Sequence, residues 1–246
     1  MTISSYKTAL VTGASSGIGE AVARTLAERG LNIIAVGRDA DSLARLQAET
    51  GAVPIVCDIT DRALLAAKLS GFEIDVLVNN AGVLSASVPF HDLPADSIDA
   101  MIDVNLRAAV HLTQYCLPGM MARNRGHVVF IGSSAGLTPH PTATVYGATK
   151  AAISSFAQAL RLDLLGHAIR ISEVAPGRVE TRLYRDAFGL EEAQRRLYDD
   201  YSVLQPQDLA TLIETVLDMP QHVDVSRMEI FPTTQAVGGG QIVKNL

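Results

Sequence analysis

The sequence predicts an α/β protein: one doubly wound parallel sheet with helices on both faces. Three observations predict it. Seven short runs rich in β-branched residues alternate along the chain with longer stretches whose apolar residues recur at helical spacing. The runs are continuously apolar, as suits strands covered on both sides. No Pro/Gly/Ser-rich linker and no internal repeat divides the 246 residues, so a single domain spanning 1–246 is expected.

The strand-like runs, in order, are 8–12 (TALVT), 31–36 (LNIIAV), 53–57 (VPIVC), 75–79 (DVLVN), 127–131 (HVVFI), 169–174 (IRISEV) and 228–231 (MEIF). The helix-like stretches between them are 18–29, 39–50, 61–70, 94–123, 146–165 and 205–219. The first helix ends before Gly30, a residue suited to a left-handed C-terminal cap. Strand–helix alternation of this kind implies right-handed crossovers and parallel strands. Residues 181–201 (TRLYRDAFGLEEAQRRLYDDY) fit the scheme least well. They are highly charged and hold three of the six tyrosines, and read either as a flap over a site or as a solvated helical hairpin.

Composition narrows the function. With 48% hydrophobic and 19% charged residues the chain is too apolar for disorder. A net charge of −6 argues against a nucleic-acid surface, whose affinity comes from Lys and Arg on phosphates. No apolar run approaches the about 18 residues of a membrane span. The opening 13 residues carry one Lys and no long apolar stretch, so no secretory signal is expected, and cytoplasm is the expected compartment. Cys57 and Cys116 read as reduced core thiols. The six histidines form no metal-binding pattern, so no metal is expected. Residues 231–246, with Gly238–Gly240, fit either a segment packed on a partner subunit or a frayed tail.

The turn after the first strand, 12–19 (TGASSGIG), reads G-x-x-x-G-x-G with glycines at 13, 17 and 19. Such a turn brings backbone close to a pyrophosphate seated on the free N–H groups of a helix N-terminus. It contains no Gly-Lys-Ser/Thr, which argues against a P-loop. Tyr146 and Lys150 are four apart, on one face of a helix. A phenol with an ordinary pKa near 10 becomes a useful acid–base group at neutral pH only if its anion is stabilised, and an ammonium one turn away supplies positive charge.

Taken together, TGASSGIG, then 79–82 (NNAG), Ser133, 146–150 (YGATK) and Pro176-Gly177 resemble the short-chain dehydrogenase/reductase family, over nearly the whole chain and in the family's order. The resemblance implies a Rossmann-like sheet of about seven parallel strands, a nicotinamide cofactor, and a homotetramer or homodimer. It implies that Tyr146 donates or accepts the proton, that Lys150 also binds the nicotinamide ribose, and that Ser133 orients the carbonyl oxygen, with Ser134 as its competitor. Asn105 is implied to hold a water linking Lys150 to solvent; otherwise it is a buried amide at a helix kink. The cofactor is implied to lie on Gly13, Ser15, Ser16, Gly17, Ile18 and Gly19. Further contacts are implied for Asp58 and Ile59, for Asn79, Asn80, Ala81 and Gly82, and for Pro176, Gly177, Val179 and Thr181. Asp58 or Asp61 also suits a helix cap. One departure from the family is visible: only 17 positions separate Asp58 from Asp75, so the helix between them is expected to be short.

Cofactor preference turns on the end of the second strand. NAD-preferring relatives commonly carry an acid where this chain has Gly37, and Arg38 follows. A guanidinium grips a phosphate in bidentate fashion, which favours NADP(H). Asp39 as a ribose-binding acid and the neutral Ser16 favour NAD(H). The substrate is expected to be a small carbonyl or alcohol. Its pocket is expected from residues 83–90, 137–145 and the flap after Thr181, with His140, Arg178, Arg182 and Arg185 as candidates. An arginine cluster would suit an anionic substrate, or else these charges face solvent or pair with Glu180 and Asp186. The leading reading is an NADPH-dependent carbonyl reductase. An NAD-dependent alcohol or polyol dehydrogenase and a non-catalytic dinucleotide-binding regulator are the alternatives.

Overall fold

A computed structural model describes residues 2–236 and 242–244, so Gly238–Gly240 lie outside the described residues. The strands are β1 (Thr8–Thr12), β2 (Asn32–Gly37), β3 (Val53–Val56), β4 (Val76–Asn79), β5 (Gly126–Ile131), β6 (Ile169–Pro176) and β7 (Arg227–Ile230). The helices are α1 (Gly17–Glu28), α2 (Ala40–Thr50), α3 (Arg62–Leu69), α4 (Ala95–Ile102), α5 (Ala109–Ala122), α6 (Thr144–Asp163), α7 (Arg182–Phe188), α8 (Leu190–Ala193) and α9 (Pro206–Leu217). The sheet is parallel in the order β3-β2-β1-β4-β5-β6-β7, a Rossmann-like arrangement.

Continuous apolar strands follow from two buried faces. On β1, Ala9 and Val11 join the cluster under α1, α2 and α9, while Leu10 joins the opposite cluster under α3, α5 and α6. β5 divides the same way, Val129 to one side and Val128 and Phe130 to the other.

Several local choices are set by short-range chemistry. Asp39 caps α2 by accepting from the Ser42 N–H, and Asp61 caps α3 by accepting from Leu64 N–H. The short 58–75 connection yields an eight-residue α3. The long helical stretch predicted over 94–123 is interrupted: Asp103–Ala108 is a π-helical turn between α4 and α5. No helix among the described residues is long and apolar enough to cross a membrane.

The topology places the site. The chain leaves β1 for β2 and β3, then returns to the other side of β1 as β4. The crevice at this switch opens at the carboxyl ends of the strands, between the turn after β1 and the turn after β4.

Candidate active site

Above those strand ends lies a cleft of about 590 Å³. One end is built by the glycine turn. Gly13 and Gly17 have φ of +66° and +55°, the left-handed region that suits glycine. A Cβ on Gly19 would collide with the Gly13 carbonyl oxygen, so the turn closes only without one. The Asn80 amide braces it, donating to Thr12 O at 2.9 Å and Gly13 O at 3.4 Å. Thr12 Oγ1 in turn accepts from the N–H groups of Asn80 and Ala81 at 3.0 and 3.1 Å. The Ser16 side chain makes no capping bond at the head of α1, so the helix N-terminus faces the cleft uncapped. Glycine backbone lining an uncapped helix start is a cradle that fits a dinucleotide pyrophosphate.

Beyond the turn, Gly37, Arg38, Asp39, Cys57, Asp58 and Ile59 line the wall. Asp58 accepts from the N–H and hydroxyl of Thr60, and these bonds together with Arg38 hold its carboxyl below the usual range. Asp39 is engaged as the α2 cap, and its Oδ2 lies 3.9 Å from Arg182.

The other end holds the groups to which the family resemblance assigns the reaction. Ser133, Tyr146 and Lys150 all line the cleft. Ser133 follows β5, and its hydroxyl accepts from Ala135 N–H at 3.2 Å and acts on the Tyr146 phenol. Tyr146 and Lys150 share one face of α6, with Lys150 Nζ 5.8 Å from the phenol ring centroid. Lys150 donates to the Ile131 carbonyl at 2.7 Å. Burial pushes Tyr146 above its ordinary value, Tyr184 adds to the rise, and Ser133 opposes it. Burial lowers Lys150 to about 8. Burial thus acts on the phenol in the sense opposite to a neighbouring ammonium.

Not every candidate reaches the cleft. Ser15, Ser16, Ile18, Ala81, Gly82, Pro176, Gly177, Val179 and Thr181 line it. Gly19 packs beneath the turn, and Asn79 turns into the core to donate to Thr113 at 3.0 Å. Asn105 is buried in the π-helical turn, pairing with both backbone groups of Val83 and donating to Thr149. His140 lies outside the cleft lining, half-buried, with burial lowering its pKa. Arg178 donates to Leu197 O and stacks over Tyr201 at 5.2 Å. Arg185 donates to Glu180 at 2.7 Å and stacks over Tyr198 at 5.7 Å. Of the three candidate arginines, Arg182 is the one that lines the cleft.

Residues 181–201 fold over the site: Leu183, Tyr184 and Ala187 pack against the cluster of Leu84, Met101 and Tyr146. Leu84, Leu183 and Tyr184 fall in the segments expected to line the pocket without being named individually, and Thr12 was not singled out by the sequence. The three tyrosines in a charged segment were the only available signal for Tyr184, and nothing in sequence spacing marks Thr12 as a hub.

A family model described as short chain dehydrogenase matches residues 7–190. The chain is 54% identical over 239 residues, 97% of its length, to an uncharacterised short-chain type dehydrogenase/reductase, y4eK, of Sinorhizobium fredii (strain NBRC 101917 / NGR234), covering 96% of that protein. It is 36% identical over 239 residues to the NADP-dependent 3-hydroxy acid dehydrogenase YdfG of Escherichia coli (strain K12), covering 94% of this chain and 96% of that one. Among solved structures it resembles the closed form of serine dehydrogenase complexed with NADP+, with a TM-score of 0.91 at 35% identity, covering 97% of this chain and 100% of that one.

Proposed function

This chain belongs to the short-chain dehydrogenase/reductase family, and on that premise we propose that it is an NADP(H)-dependent carbonyl reductase. It moves a hydride between the nicotinamide and the carbonyl carbon of a small ketone or aldehyde, or in reverse from a primary or secondary alcohol. The observation that carries this reading is that one cleft holds Ser133, Tyr146 and Lys150 at one end and the glycine turn with Arg38 at the other.

The uncapped start of α1, with Gly13, Ser15, Ser16, Gly17 and Ile18, would hold the pyrophosphate. Arg38 would grip the 2′-phosphate of NADP(H), Asp58 and Ile59 the adenine, and Asn80, Ala81 and Gly82 the adjoining ribose. Pro176, Gly177, Val179 and Thr181 would fix the nicotinamide end. The NADP dependence in the names of the relatives supports this cofactor, as does the missing acid at Gly37.

When bound, the nicotinamide supplies the hydride, and this chain supplies the proton. Neutral Tyr146 is the form that donates in reduction, and its burial favours that form, while Lys150 must make the phenol acidic enough to release the proton. Ser133 lines the cleft with the phenol and would orient the carbonyl oxygen. Lys150 adds positive charge to stabilise the phenolate once the proton has left. Asn105 Oδ1 and Lys150 Nζ both flank Gly82, which supports a proton path from the ammonium past the amide. Residues 181–201 act as the substrate flap, and Arg178 and Arg185 stitch it down instead of binding an anionic substrate. A homotetramer or homodimer in the cytoplasm belongs to the same reading, on family resemblance; sedimentation of the purified chain tests the assembly.

The test is a panel of small aldehydes and ketones, with and without a carboxylate, followed by nicotinamide absorbance. Hydroxy acids enter in the reverse direction because two relatives are named for them. Turnover with NADPH at least about tenfold more efficient than with NADH supports the reading. Preference for NADH favours the NAD-dependent alcohol dehydrogenase, and binding without turnover favours the regulator.

A further inference from the structure

Strand β6 carries an acid that the reaction above does not use. Glu173 is 2% exposed and sits opposite Phe130 in the β5–β6 register. Its Oε2 accepts from Ser154 Oγ at 2.8 Å, and Ser154 stands one turn beyond Lys150 on α6. Its Oε1 is buried without a hydrogen-bond partner, pressed so close to Gly132 that a Cβ there would collide with it. Gly132 lies between Ile131, whose carbonyl holds the Lys150 ammonium, and Ser133, which lines the cleft with Tyr146. Ile131 and Gly132 line the cleft, whereas Glu173 stands behind them.

An interior carboxylate with an orphan oxygen is costly unless a nearby charge offsets it. Burial raises the Glu173 carboxyl above its ordinary value and Glu229 from β7 adds to the rise, while Ser154 and Lys150 from α6 and Arg227 from β7 favour its charged form. Among the described residues, Glu173 is the acid that acts on Lys150, and the Tyr146 phenol is its other titratable neighbour. Burial drives Lys150 toward its neutral form, and Glu173 opposes that drift.

We propose that Glu173 is a positioning residue that keeps Lys150 in its ammonium form from behind the cleft, so that the charge next to Tyr146 persists at neutral pH. The use made of that charge rests on the reductase reading; the charge itself does not. Removing the carboxylate lets Lys150 release its proton at lower pH. In the reducing direction, the basic limb of the rate profile then moves to lower pH.

Four lysines in the chain (Lys7, Lys68, Lys150 and Lys244) make this directly measurable. In protein grown on lysine labelled at the ε-carbon, the Lys150 resonance is the one missing from K150M. The parent is expected to titrate near 8, Glu173→Gln at least about half a unit lower, and Glu173→Asp between the two. Ser154→Ala keeps the acid but removes its donor, and is expected to move the midpoint the same way by less. If Glu173→Gln does not fold, Ser154→Ala decides. An unmoved Lys150 midpoint in the folded variant overturns the inference. A parent protein with no turnover overturns the reductase reading and leaves the titration standing.

Discussion

The Lys150 ammonium donates to the Ile131 carbonyl oxygen at 2.7 Å, at the point where β5 delivers Ser133 to the cleft. That bond fixes a charge in the interior, and the cost of burying it has a measurable pH signature. Burial holds Lys150 near 8 in the folded chain against an ordinary 10.5. Between those values the unfolded chain binds more protons than the folded one, so this residue makes stability rise with pH across the window. Below about 8 the full cost of the buried charge is in place. Denaturant unfolding of the parent is therefore expected to show a gain of about 3 kcal/mol between pH 8 and 10.5 that Lys150→Met lacks. Identical pH slopes in the two proteins contradict it.

Arg38 stands in the cleft wall directly after Gly37, whose own position leaves no acid to claim a ribose. Arg38→Ala is expected to raise KM for NADPH by about ten- to a hundredfold, the worth of a charge-assisted phosphate contact, and to leave NADH nearly unchanged. Equal losses with both cofactors would place the guanidinium elsewhere on the dinucleotide.

The glycine at 19 is required by space rather than by backbone angle, because its Cβ would run into the Gly13 carbonyl and the Asn80 amide. Gly19→Ala is expected to cost on the order of 1–3 kcal/mol in thermal unfolding and to weaken NADPH binding, since the turn must open to admit the methyl. Parental binding and melting would show that the turn relaxes freely.

Arg185 ties Glu180 to the flap and lies over Tyr198. A single partly exposed pair adds less than about 1 kcal/mol to overall stability. Arg185→Ala is expected to leave the melting temperature nearly unchanged while raising KM for the carbonyl substrate severalfold. A changed kcat with constant KM would detach this residue from substrate closure.

Much of this was legible from residue order. The β-branched runs became strands because each side chain of β1 and β5 finds a covered face, and Tyr146 and Lys150 met because four residues are one helical turn. The π-helical turn holding Asn105 was legible only as the alternative of a buried amide at a helix kink, since apolar spacing continues through 94–123 and the amide's bonds to Val83 form across the fold. The Arg185–Glu180 pair was one of the alternatives open in the sequence, but the tyrosine stacking of Arg178 and Arg185 was hidden, because a charged segment has the same composition whether its cations face solvent or stack on rings. Glu173 was hidden for a related reason: an acid within a strand-like run gives no sign of which charge it faces until α6 is laid across the sheet.

The most direct measurement replaces the phenol hydroxyl and keeps everything that surrounds it. Tyr146→Phe is expected to bind NADPH with parental affinity and to lose turnover by about 10²- to 10⁴-fold, the worth of a positioned general acid. A variant that reduces the same substrate within about tenfold of the parent, at every pH tested, contradicts the assignment of the proton to Tyr146.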